Sequence, residues 1–165
     1  MSGKLIVGVL AALALSVLIY GLWFFGTGSP IDERFNFKRR PITSDTPQTR
    51  LLPDRVGDFL RRSLTPIAPT VANQLEGSAA YSDNDDKRIW LQVRSIAGER
   101  HGVSALDEAA GDTFKLHRDA PFPYGYGTTQ DGYTFMWING EWLFQAYTSE
   151  ADAETLLQFV NGYPY

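Results

Sequence analysis

A chain of 165 residues, 44% hydrophobic and 21% charged, can build one globular domain and is too short for two of ordinary size. It holds no cysteine, which excludes a disulfide framework, a thiolate zinc site, a cysteine-ligated iron–sulfur cluster and a cysteine nucleophile. A net charge of -4 with a pI near 5.1 argues against a dedicated nucleic-acid binder, whose surface would be basic.

Residues 1–4 form a short tail, followed by the uncharged run Leu5–Phe25. As a helix rising ~1.5 Å per residue, this run spans about 31 Å, which matches a bilayer core of roughly 30 Å. It exceeds the roughly 7 to 15 apolar residues of a secretory signal, so an uncleaved transmembrane anchor is expected. Tyr20 and Trp23 stand at its carboxyl end, where aromatic rings favour the headgroup region. Gly8, Ala12 and Ser16 recur every four residues and share one stripe, a packing face for the span of an integral membrane partner.

Orientation carries a conflict. Only Lys4 precedes the span, whereas Arg34, Lys38, Arg39 and Arg40 follow it, so a positive-inside count places the carboxyl-terminal part in the cytoplasm. Against this, the basic cluster starts well beyond the membrane, Asp32 and Glu33 precede it, and the domain is aromatic-rich and free of cysteine. An extracytoplasmic domain is the expectation adopted.

Residues 26–50 read as a tether, rich in Gly, Ser and Thr and interrupted by Pro30, Pro41 and Pro47. Residues 34–62 hold eight Lys or Arg against three Asp, whereas 119–165 hold six Asp or Glu and no Lys or Arg. The basic stretch offers contact with anionic lipid near Lys38, Arg39 and Arg40, and the acidic half can face a basic partner.

The extramembrane domain is expected over 51–165. Pro53, Pro66 and Pro69 punctuate its first part, read as a short helix or turn. A hairpin follows, joined through Asp83-Asn84-Asp85-Asp86, with Ile89, Leu91 and Val93 alternating against Arg88, Gln92 and Arg94. Lys87 and Arg88 occupy positions where a calcium loop needs a ligand and a glycine, so calcium is excluded there. A helix is predicted over 102–110, ended by Gly111.

Asn139-Gly140 predicts a two-residue hairpin turn, placing Ile138 opposite Glu141, Trp137 opposite Trp142 and Phe135 opposite Phe144. A helix capped by Ser149 follows, with Ala153, Leu156, Leu157 and Val160 on its apolar stripe. That stripe is expected to bury the aromatic face of Tyr133, Phe135, Trp137, Trp142 and Phe144 in the core. The opposite face, with Met136, Ile138 and Leu143, is a candidate interaction surface if left uncovered. Tyr124 and Tyr126, in the loop-like Pro121–Thr129 stretch, are candidates to line a pocket.

Trp137, Asn139-Gly140, Phe144 and the Ser149-capped helix resemble the ending of small extracytoplasmic domains in bacterial anti-sigma-factor-like membrane proteins and lipoproteins. The four residues before the span leave no cytoplasmic sigma-binding region, so the resemblance implies no anti-sigma role and assigns no functional residue.

His101 and His117 are the only histidines, and no HExxH, GxSxG or GxxxxGK[ST] spacing occurs. The expected fold is therefore α+β: one amino-terminal transmembrane helix and a small antiparallel sheet with helices on one face. The expected function is a non-catalytic, single-span accessory or scaffold subunit of a membrane complex, without cofactor, metal or nucleic acid. A membrane-tethered binding domain for a small apolar or aromatic ligand is the alternative, and an enzyme with an unrecognised site comes third.

Overall fold

The computed structural model describes residues 35, 39–70, 74–96, 102–110, 112, 114–129, 132–149 and 153–165. The chain divides into two compact units, 1–35 and 36–165, and the description below concerns the second. The predicted span over 5–25, with Gly8, Ala12 and Ser16, lies outside the described residues. No described helix is long and apolar enough to cross a membrane.

Eight strands form one antiparallel sheet: β1 (Arg55–Val56), β2 (Phe59–Pro69), β3 (Leu75–Ser82), β4 (Arg88–Ser95), β5 (Lys115–His117), β6 (Tyr124–Thr129), β7 (Gly132–Asn139) and β8 (Trp142–Thr148). Their spatial order is β1-β2-β3-β4-β8-β7-β6-β5. Two four-stranded meanders thus meet where β4 pairs with β8. Helix α1 (Gly102–Ala110) follows the first meander and α2 (Ala153–Gly162) the second.

This architecture corrects the α+β expectation of a small sheet with helices on one face. The unit is mainly β, and its two short helices lie on opposite sides of the sheet. Successive strand residues point to opposite faces, so Met136 and Ile138 cannot share a side with Phe135 and Trp137. Ala105, Leu106 and Ala110 of α1 cluster with Met136, Ile138 and Leu143 on one face. Phe159 of α2 meets Phe59 and Tyr81 on the other, and Tyr163 just beyond α2 meets Trp137 and Phe144 there. Leu156, Leu157, Phe159 and Val160 are buried, each contributing about 1.5–3 kcal/mol of transfer free energy.

The predicted β3–β4 hairpin is present, and Asp83 shapes its loop by accepting the N–H groups of Asp85 and Lys87, both at 2.9 Å. The preceding segment is mainly strand, with β1 and β2 joined by a tight turn at Gly57-Asp58, where Gly57 has φ of 56°. Pro66 and Pro69 sit within β2, which β1 pairs only at Phe59 and Leu60, and an outer strand tolerates residues that cannot donate to a ladder, while Pro53 precedes β1. Likewise Tyr124–Thr129 is a strand rather than a loop. Gly125 pairs with Leu116 on the neighbouring strand, whose Cδ2 fills the space a Cβ would take.

The β7–β8 hairpin forms with its register displaced by two residues. Ile138 faces Leu143, Trp137 faces Phe144 and Asn139 faces Trp142, so the turn is Gly140-Glu141. Gly140 alone has positive φ, at 60°, while Asn139 remains extended in β7. The displacement conserves which residues share a face, because side chains alternate with period two. Asn139 is buried at 1% exposure and engages residues 40–42 instead of turning the chain.

Residues 39–53 run along the unit. Arg40 N–H donates to Pro164 O at 2.9 Å, Arg39 Nη1 donates to Tyr163 O, and Tyr163 Oη donates to Leu51 O. Packing of this order begins upstream of Leu51, inside the stretch expected as a tether.

Candidate functional site

The two sheet faces are covered unequally. On the α2 side an aromatic series is buried: Tyr124 stacks on Phe135 at 5.4 Å, and Trp137 stacks on Phe144 at 5.0 Å. Phe135, Trp137 and Phe144 are core, as the sequence favoured, and Tyr124, expected to line a pocket, joins them, so the series provides no open platform.

On the α1 side, nine helical residues extend about 14 Å and cover only the half of the sheet built from β6, β7 and β8. The other half of that face, over β3 and β4, is open. There Trp90 of β4 stands directly opposite Tyr147 of β8, with ring centroids 5.5 Å apart and planes inclined by 36°. Trp90 is 40% exposed, an unusual state for a large ring in a central strand.

One step along the same face, Gln92 opposes Gln145 across β4 and β8, and Ser78 opposes Gln92 across β3 and β4. Gln92 Nε2 donates to Glu76 Oε1 at 2.6 Å, a charge-assisted bond that fixes the amide's orientation. The Gln145 side chain makes no hydrogen bond to a described residue. Ala80 lies beside Trp90, and Ser63 lies beside Ala80. This row of short side chains next to two tall rings makes a trough of about 400 Å³, with Glu76 as its one carboxylate and no Lys or Arg in its lining.

The sequence candidates occupy different places. Met136, Ile138 and Leu143 lie beneath α1 with exposures of 0%, 7% and 4%, so the condition for a partner surface is not met. Tyr124 and Tyr126 are buried at 3% and 7%. The open depression beside Tyr124, about 410 Å³ and lined also by His117, Asp119 and Pro121, does not admit a ligand to either ring's face. His117 spends its own ring face stacked on Tyr124, 4.4 Å away and within 4° of parallel.

Of the basic trio proposed for lipid, Lys38 lies outside the described residues and Arg40 is exposed. Arg39 is buried, its guanidinium carbon 5.3 Å from the Trp137 ring centroid. Burial lowers its pKa to about 10, partly opposed by Tyr163. The geometry commits Arg39 to the fold and removes it from the lipid-facing set.

A larger groove of about 700 Å³ lies on the other side of β2, between Arg40, Arg50, Leu64, Ile67 and Tyr165. Its Arg61 is engaged by Asp54 and by Leu52 O. Among the described residues, no group of three or more His, Asp or Glu side chains is placed to hold a metal ion.

The open trough had one signal in the sequence. In β4 the inward positions are Ile89, Leu91 and Val93, so Trp90 falls in the outward phase with Arg88 and Gln92. A large ring in the solvent phase of an alternating strand gains meaning when a second ring stands beside it, as Tyr147 does here. Set against family models, curated proteins and solved structures, the chain finds no match in any of the three.

Proposed function

We propose that the protein is a non-catalytic accessory subunit of a membrane assembly, with an anchor over 5–25 and an extracytoplasmic unit that acts as a binding module. One observation carries the binding role: Trp90 and Tyr147 form a half-exposed ring pair, framed by amides, on the sheet face that α1 leaves uncovered. Burying Trp90 would have required only a longer helix or another loop; instead small side chains surround it. The anchor supplies a separate contact, through the stripe of Gly8, Ala12 and Ser16, to another membrane span.

The test is extraction of native membranes in mild detergent, isolation of the full-length chain through a carboxyl-terminal tag, and quantification of co-purifying proteins. A stoichiometric membrane partner, lost from the Gly8→Leu/Ala12→Leu double variant, is the expected outcome. A monomer that retains no membrane protein after repeated extraction overturns the subunit reading.

A further inference from the structure

From the chemistry of the trough we infer that the ligand of the binding module is a neutral saccharide, stacked on Trp90 and Tyr147 and held by Gln92, Gln145, Glu76 and Ser78. This rests on the reading of the unit as a binding module and names its ligand class.

The two halves of the trough make complementary demands on a ligand. The ring pair presents two aromatic faces, one 40% exposed, and so favours a flat, weakly polar partner that displaces water from them. Two residues along β4 and β8, the next position on the same face, the lining changes to amide, carboxylate and hydroxyl groups. These offer both donors and acceptors in a small area: each glutamine carries two N–H donors and a carbonyl, Ser78 donates and accepts, and ionised Glu76 only accepts. A purely apolar ligand would leave those groups desolvated and unpaired, which is costly.

A pyranose ring meets both demands. One of its faces is made of C–H groups, and its rim carries hydroxyls that donate and accept at once. Vicinal hydroxyls match an amide paired with a carboxylate, and here Gln92 and Glu76 are already joined at 2.6 Å, so the pair is organised before a ligand arrives.

Charge narrows the class. A nucleotide or an acidic glycan brings an anion, yet the lining's single charged group is the Glu76 carboxylate. The nearest cations on β4, Arg88 and Arg94, stand at the two ends of the same row, with Arg94 opposite Glu76 and bonded to Gln74. Its volume of about 400 Å³ falls at the smaller end of the roughly 300–1,000 Å³ of ligand sites. Hydrolysis of the bound sugar is not part of the proposal, because it needs two flanking carboxyl groups and the lining holds one.

The experiment uses the full-length chain in a polyoxyethylene detergent, whose head group contains no sugar. Cellotetraose, maltotetraose, chitotetraose and, as an aromatic control, adenosine are titrated by tryptophan fluorescence and calorimetry. Saturable binding of at least one tetrasaccharide with Kd of about 1 mM or tighter is expected. Trp90→Ala should weaken it about tenfold or more, and Gln145→Ala by about threefold to tenfold, as lost stacking and hydrogen bonding imply.

Tyr147→Ser provides a second removal of the ring pair should Trp90→Ala fail to fold, and Arg50→Ala, in the groove beyond β2, should leave binding unchanged. Failure of all three sugars to bind, tighter binding of adenosine, or sugar binding that survives both ring variants overturns the inference. The same preparation reports co-purifying membrane protein. Partner retained without sugar binding removes the ligand class alone; sugar binding without a partner removes the subunit reading alone.

Discussion

Asn139 clamps the backbone on either side of Pro41: its Nδ2 donates to Arg40 O at 2.8 Å, and its Oδ1 accepts the N–H of Ile42 at 3.0 Å. A single amide at the end of β7 thereby fastens a segment almost a hundred residues earlier in the chain. Replacement by leucine keeps much of the volume and leaves two backbone groups without partners, at a cost of about 1–3 kcal/mol. Thermal denaturation of Asn139→Leu should report that loss. Trypsin should cut sooner after Arg39 and Arg50 than in the native chain, and an unchanged digestion pattern would refute the clamp.

A pH dependence follows from three buried groups near one another. Burial raises the phenols of Tyr81 and Tyr163 above their ordinary value of 10.0 and lowers Arg39 to about 10. Well below pH 10 all three groups are protonated in both states and no slope arises. Above it, the unfolded phenols ionise while the folded ones stay protonated, so the two tyrosines lose stability as pH rises. Arg39 has the opposite sign, because its folded value lies below its unfolded value of 12.5 and deprotonation favours the folded state through that window.

Two groups against one leave a net loss of stability as pH rises. Urea midpoints between pH 10 and 12 should fall for the native chain. In Tyr163→Phe, where one tyrosine opposes one arginine, they should stay nearly level. A slope as steep as the native one in that variant would contradict the assignment.

How much of this was legible in the sequence depended on whether the deciding force was local. Strand β4 and helix α1 read correctly, since their apolar periods of two and about 3.6 are written in adjacent residues. The β7–β8 pairing was visible, but the turn was displaced because the Asn-Gly signal assumes a free asparagine. Asn139 is spent on Arg40 and Ile42, a contact no local window contains.

Pro66 and Pro69 were misread for a similar reason. Whether a proline breaks a strand depends on which side of it another strand lies, and that is fixed by topology. The trough was missed because Trp90 was passed over while the residues on either side of it were assigned to their faces. Its partner Tyr147 is 57 positions away in the chain, brought opposite only by the β4–β8 junction.

Removing a ring should have very different consequences on the two faces. Phe159 is fully buried, in edge-to-face contact with Phe59 at 5.4 Å and tilted contact with Tyr81 at 5.0 Å. Phe159→Ala leaves a cavity beneath α2 and should cost about 3–5 kcal/mol. Trp90 already gives 40% of its surface to water, so Trp90→Ala should cost less, about 2 kcal/mol. Chemical denaturation of the two variants under one condition compares them. Equal losses would mean that Trp90 is a structural ring and not a binding one.

The start of β7 allows no side chain at all. Gly132 has φ of 144°, and a Cβ there would stand 1.9 Å from Thr148 O and 2.9 Å from Ser149 Cα. Both obstacles are backbone atoms at the end of β8, so no rotamer change can relieve the overlap; either β7 or β8 must move. Because the two strands are joined from Tyr133 and Thr148 inward to the turn, movement at this end strains the pairing that buries Phe135 and Phe144. Gly132→Ala should therefore cost about 3 kcal/mol or more, combining backbone strain with overpacking. The check is the urea midpoint together with amide exchange along β7 and β8. A stability within about 0.5 kcal/mol of the native chain, the range of an ordinary surface substitution, would show that this close approach does not exist in solution.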